Sequence, residues 1–128
     1  MSGNDVRPTE IRLKRDRRSL LVRFDDGAEF DLPAEYLRVL SPSAEVQGHS
    51  PEQRQTVAGK IDVTIAAVDQ VGNYAVRLTF SDRHDSGIFS WPYLRKLGTE
   101  REVLWSGYLR DLDAKGMSRA PGARGKPG

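Results

Sequence analysis

The residues best suited to chemistry in this chain lie in one stretch, Phe80 to Trp91, FSDRHDSGIFSW. It holds His84, one of 2 histidines, with Asp82 and Asp85 on either side. An imidazole beside carboxylates suits metal ligation, proton transfer, or the closing of a polar turn. A metal site would be built on His84 and Asp82, with Asp85 adjacent and His49 approaching from a distant loop; that donor set describes an open, weak site for iron, manganese or zinc. A nucleophilic site would use Ser81, His84 and Asp82. Those three fall on a strand end and turn, where alternation sends neighbouring side chains in different directions, so they do not form a triad. The structural alternative has Asp82 stabilise the turn and His84 bond a backbone group or the Ser41–Ser43 turn. It is favoured because no metal-ligand spacing on a rigid element is present.

Those residues must be positioned by the surrounding elements. Thr9 to Arg15 alternates, with Ile11 and Leu13 on one side and Arg12 and Lys14 on the other, which predicts a half-buried strand. Asp16-Arg17-Arg18 reverses it. Leu20, Val22 and Phe24 form the next apolar face, Asp25-Asp26-Gly27 a hairpin turn, and Phe30 and Leu32 a third strand. Pro33 opens a short helix, AEYLRVL, and Ser41-Pro42 repeats the signal for a further helical turn through SAEV. Gln47 to Lys60 is polar and predicts an exposed loop.

Order returns with Ile61, Val63 and Ile65, which predict a strand. Gly72-Asn73 turns the chain, and Tyr74, Val76, Leu78 and Phe80 alternate inward with Arg77 and Thr79 outward. Gly87 to Ser90 is a sixth strand. Trp91-Pro92 begins a helix buried through Leu94 and Leu97, with Gly98 as its cap. Thr99 and Glu102 make a capping box for a longer helix, with Leu104, Tyr108 and Leu112 on one stripe and Gly116 at its end. The expected fold class is α+β: two antiparallel β-meanders with short helices and a C-terminal helix packed on the sheet.

Composition bounds the function. A chain of 128 residues, 38% hydrophobic and 30% charged, is expected to be one globular domain. It has 0 cysteines, which removes disulfides, thiolate metal sites and cysteine nucleophiles and agrees with a cytoplasmic location. The N-terminal residues MSGNDVRPTEIRLKRDRR lack the apolar core of a signal peptide, and no apolar run reaches membrane-spanning length, so no membrane partner is expected. Arg12, Lys14, Arg15, Arg17 and Arg18 cluster, as do Arg119, Arg124 and Lys126. With a net charge of +2, interleaved Glu10 and Asp16, and no stacking aromatics nearby, nucleic-acid binding is disfavoured. The aromatic residues mostly occupy core spacings. Trp91 is the exception, expected at a rim between sheet and helix where a partner would meet it.

Three longer stretches form a recognisable pattern: DDGAEFDLPAEYLR at 25–38, LRVLSPSAEVQG at 37–48 and VGNYAVRLTFSDRHDSGIFSWPYLRKL at 71–97. Together they resemble the gamma-butyrobetaine hydroxylase-like N-terminal domain family, whose stand-alone bacterial members are small and of undetermined activity. The resemblance spans residues 8–98. It leaves 1–7 as a flexible N-terminus, 99–116 as a C-terminal helix and 117–128 as a disordered basic tail. In larger members this domain precedes an iron- and 2-oxoglutarate-dependent oxygenase domain, and a similar domain is appended to some iron–sulfur carriers. No His-x-Asp…His triad for such an oxygenase is present. In the carnitine-biosynthesis hydroxylases the domain holds zinc with three cysteines and one histidine. The cysteine positions correspond here to Ser41, Ser43 and Val46, and the histidine to His84. Neutral hydroxyls and a valine do not rebuild a closed tetrahedral site. Many relatives read Asp-Gly-His where this chain has Arg83 before His84.

The resulting expectation is a small non-catalytic binding or accessory module. Its partner is expected to be a protein, of the iron or iron–sulfur class, met through Ser41, Ser43 and Trp91. No tightly bound cofactor is expected. The alternative is a metal-binding protein with weak iron or zinc at His84 and Asp82.

Overall fold

The computed structural model describes residues 7–42, 57–82 and 87–120. Within them, nine elements follow in order: β1 (Pro8–Leu13), β2 (Ser19–Phe24), β3 (Glu29–Pro33), α1 (Ala34–Val39), β4 (Ile65–Val71), β5 (Ala75–Phe80), β6 (Gly87–Ser90), α2 (Trp91–Thr99) and α3 (Arg101–Ala114). The strands form two antiparallel three-stranded sheets, β1-β2-β3 and β4-β5-β6, which with the helices make the α+β arrangement that the alternation implied. The expected helical turn through Ser43–Val46 lies outside the described residues.

Register explains the division of faces. In the first sheet, Leu13, Leu20 and Leu32 align across the three strands, as do Ile11, Val22 and Phe30. The opposite face aligns Arg12, Leu21 and Asp31, then Glu10, Arg23 and Glu29, and is laced by Arg23–Glu10 and Lys14–Asp31 ion pairs of 2.8 and 3.3 Å. In the second sheet, Val76 pairs with Phe89 and Leu78 with Gly87, while Arg77 pairs with Ile88 on the outer face. Leu20, Val22 and Leu32 of one sheet meet Ile65, Leu78 and Phe89 of the other in one core, with Tyr36 and Leu37 of α1 and Leu94 and Leu97 of α2. Each fully buried leucine in it contributes roughly 1.5–3 kcal/mol.

The sheets are tied at one corner by the β1–β2 tip. Arg17 sits there with φ 61, a left-handed conformation rare for a side-chain-bearing residue. Its carbonyl accepts from Ile65 N at 2.8 Å and its guanidinium donates to Ala66 O at 2.8 Å. These long-range bonds offset a local cost of about 1 kcal/mol.

Several expected details differ. The strand expected from Ile61 begins at Ile65: residues 61–62 form a turn in which Lys60 O accepts from Val63 N, and Ile61 is exposed. Tyr74 points outward at 59% exposure because it lies in the turn between β4 and β5, its N donating to Val71 O at 3.3 Å, and the strand begins only at Ala75. Gly98 lies inside α2, where it lets Phe30 approach; a Cβ there would fall 2.5 Å from the ring. Thr99 makes no capping box, since its hydroxyl donates back to Arg95 O at 3.0 Å and α3 starts from Glu100 without a side-chain cap. Helix α3 rests on α1, with Trp105 edge-on to Tyr36, and Arg101 donates to Asp31 O of β3 at 3.0 Å.

Ser118 and Arg119, which the sequence places in a disordered tail, make specific contacts. After Gly116, at φ 67, the chain turns back with Met117 N donating to Leu112 O at 2.8 Å. Arg119 then grips Glu35 of α1 with two bonds, Nε to Oε2 at 2.8 Å and Nη2 to Oε1 at 2.7 Å. No helix among the described residues is long and apolar enough to cross a membrane.

Candidate functional site

Helix α1 is only six residues long, yet every one of them is buried, Glu35 and Arg38 included. It runs between sheet and α3, so charged side chains leaving it must find partners inside the fold. Arg38, 3% exposed, reaches the end of β5, where its Nε donates to Asp82 Oδ2 at 2.9 Å. The same oxygen accepts from Lys60 Nζ at 2.6 Å. Partial burial would raise the Asp82 pKa, but the bonds from Lys60 and Arg38 outweigh it and hold the carboxyl below the usual carboxylate range.

This arrangement decides what Asp82 can do. A carboxylate with a depressed pKa under two cationic donors is a weak base, and the same cations repel an approaching metal ion. Ser81 is also engaged, its hydroxyl accepting from Thr64 N at 3.0 Å. Among the described residues, no three histidine, aspartate or glutamate side chains gather into a metal-binding group. His84, Asp85, Arg83, His49, Ser43 and Val46 lie outside the described residues.

The structure does bring Ser41 to the far end of the same segment. Its side chain is fully buried, and a Cβ added at Gly87 would lie 2.8 Å from its Oγ. The chain leaving α1 is anchored by Tyr93, whose hydroxyl donates to Leu40 O at 2.5 Å. Arg38, Ser41, Asp82 and Gly87 therefore form one corner, with Asp82 and Gly87 as the flanks of residues 83–86. Ser41, expected as a partner contact, is fully buried in this corner, close against Gly87. Trp91 is likewise mostly enclosed, at 9% exposure, with Nε1 donating to Asn73 O at 2.6 Å. Its remaining edge lines a cleft of ≈ 360 Å³ between β1 and β4, with Ile11, Val68 and Val76. The exposed apolar side chain of β6 is Ile88, at 40%.

Arg38 and Lys60 had no role at the site in the sequence reading: Arg38 entered only within the family pattern and Lys60 only as the end of the polar loop. Their bonds to Asp82 span 44 and 22 positions, and a basic residue near a helix end is ordinarily a solvated one. Nothing local to either residue points to Asp82.

Comparison with known proteins adds kinship to this geometry. The pattern of the gamma-butyrobetaine hydroxylase-like N-terminal family matches residues 11–95. No curated protein matches the chain. Two solution NMR structures are similar at 45% and 44% identity, covering 90% and 94% of this chain and 90% of each relative, with TM-scores of 0.77 and 0.79. A crystal structure from Acidithiobacillus ferrooxidans ATCC 23270 is 43% identical over 71% of this chain and 91% of its own, with a TM-score of 0.60. It is described as a protein of unknown function in the DUF971 family. With the second half of β1, β2 to β6, α1 and the start of α2 inside the matched span, the chain belongs to the gamma-butyrobetaine hydroxylase-like N-terminal domain family.

Proposed function

We propose that this chain is a small, non-catalytic accessory module that binds a protein partner of the iron or iron–sulfur class. The observation that carries this reading is the state of Asp82, whose carboxylate is held by Arg38 and Lys60. The most chemically suggestive corner of the described chain spends its charge internally, as a scaffold does. Beside it, Ile88 is exposed on the outer face of the second sheet, next to Arg77. An apolar residue flanked by charge is a reasonable anchor for a partner. The partner's class comes from the family resemblance, in which such domains accompany oxygenases and iron–sulfur carriers.

The test is a binding measurement with purified iron–sulfur carrier and 2-oxoglutarate oxygenase domains, comparing wild type with Ile88→Asp. The reading expects binding that survives high salt and falls at least tenfold in the variant while its melting temperature holds. Equal binding by the two proteins, or none by either, would count against it.

A metal-binding reading retains one supporting observation. Ser41 against Gly87 keeps side by side the two stretches whose counterparts share a zinc site in the hydroxylases. Weak iron or zinc at His84 and Asp82 would show as metal-dependent thermal stabilisation.

A further inference from the structure

The ion pair between Glu35 and Arg119 stands 84 positions apart in sequence and joins the C-terminal segment to α1. Glu35 is 7% exposed, so its carboxylate is paired where water does little to screen it. The Arg119 guanidinium also lies 5.2 Å over the Trp105 ring of α3. The strap uses its backbone as well. Ser118 O accepts from Gly59 N at 2.9 Å, and Arg119 O accepts from Ile61 N at 3.0 Å. Residues 59 and 61 flank Lys60, the residue whose ammonium sits on Asp82.

We infer that Met117–Ala120 is a conformational clasp: closed on Glu35 and on residues 59–61, it seats Lys60 on Asp82, and its opening releases that corner. The two ends of this path both rest on α1. Glu35 receives the strap, and Arg38, three residues later on the same helix face, receives Asp82. Segment 57–61 lies between them. Val57 and Ala58 pack over Val39, Tyr108 and Leu112, and Val57 O accepts from the Tyr108 hydroxyl at 2.5 Å.

The clasp is built to open before the core does. Its bonds to the rest of the fold are three backbone hydrogen bonds, the Arg119–Trp105 ring contact and one ion pair whose arginine is 40% exposed, whereas Val22 and Leu78 are fully buried in the main core. Segments with few buried apolar contacts open locally at a fraction of the global cost. A segment on the 59–61 edge thereby controls whether Asp82 keeps the Lys60 cation.

The test is residue-resolved hydrogen exchange on the full chain, wild type against Arg119→Ala. Expected are exchange roughly tenfold faster at the Gly59 and Ile61 amides and at the Arg38 Nε–H, with the Val22 and Leu78 amides unchanged. Unchanged protection at Gly59 and Ile61 in a folded variant would overturn the clasp. Faster exchange there with the Arg38 Nε–H unaffected would overturn its coupling to Asp82. Should Arg119→Ala not fold, Arg119→Lys, which keeps the charge and loses the two-pronged bond, gives the same readouts. Unchanged Val22 and Leu78 amides in either variant exclude a nonspecific loss of stability.

Discussion

Arg38 Nε lies 2.9 Å from Asp82 Oδ2, with the arginine side chain 3% and the aspartate side chain 23% exposed. A guanidinium this deep depends on its counter-charge, because removing one member of a buried pair leaves the other uncompensated. Asp82→Ala is therefore expected to lower unfolding free energy by about 2–4 kcal/mol. Lys60→Ala, removing a more accessible partner, should cost under about 1 kcal/mol. Urea denaturation of the three proteins checks the order; equal effects would show that Lys60, not Arg38, carries the interaction.

The pH dependence of stability follows from the same carboxylate. The folded Asp82 pKa lies below its ordinary value, so its stabilisation is present above the unfolded pKa and is lost as pH falls through the folded one. Stability should fall on acidification from pH about 5 downward, and less steeply in Asp82→Asn. Some slope will remain, since Asp26 is also held low by hydrogen bonds from Arg95 and from the Ala28 amide. Chemical denaturation across the acid range in both proteins makes the comparison.

At the alkaline end the relevant group is Tyr108. Burial, with Glu35 nearby, pushes its hydroxyl from 10.0 up to about 12. A raised folded pKa gives stability that is complete below the unfolded value and lost as pH rises through the folded one. Unfolding free energy should therefore decline between pH 10.0 and about 12, with a smaller decline in Tyr108→Phe. Tyr36, also raised by burial, supplies a remaining slope.

Two glycines in helices offer opposite predictions. Gly98→Ala improves intrinsic helix propensity but drives a methyl to 2.5 Å from the Phe30 ring, an overlap that a core aromatic relieves only by moving. The net cost is expected at about 1–3 kcal/mol. Gly107→Ala in α3 meets nothing within 4 Å and should stabilise by up to about 1 kcal/mol. Thermal and urea unfolding of the two variants should move in opposite directions.

Much of the frame was legible because it is local. Alternation across Leu20, Val22 and Phe24, and across Val76, Leu78 and Phe80, is enough to mark core-facing strands, and all six are buried. The Trp91-Pro92 helix start is equally local, with Ser90 Oγ accepting from Tyr93 N at 3.2 Å. What escaped depends on who meets whom. Thr99 and Glu102 have the spacing of a capping box, but Thr99 sits at the last residue of α2 and bonds backward. The tail composition around Arg119 reads as disorder until α1 places a buried carboxylate opposite it. At the candidate site, Asp82 was visible as a carboxylate beside a histidine. Its two cations come from α1 and from residue 60, so its role as a paired scaffold was not visible.

The central claim is that the Asp82 carboxylate is committed to the internal cations Arg38 and Lys60, which makes a tightly bound metal at this corner the outcome to test. Elemental analysis of the full chain, purified without a histidine tag, tests it most directly. The account predicts zinc and iron far below one equivalent per chain. Close to one equivalent of either, lost in His84→Ala and Asp82→Ala variants that remain folded, would contradict it.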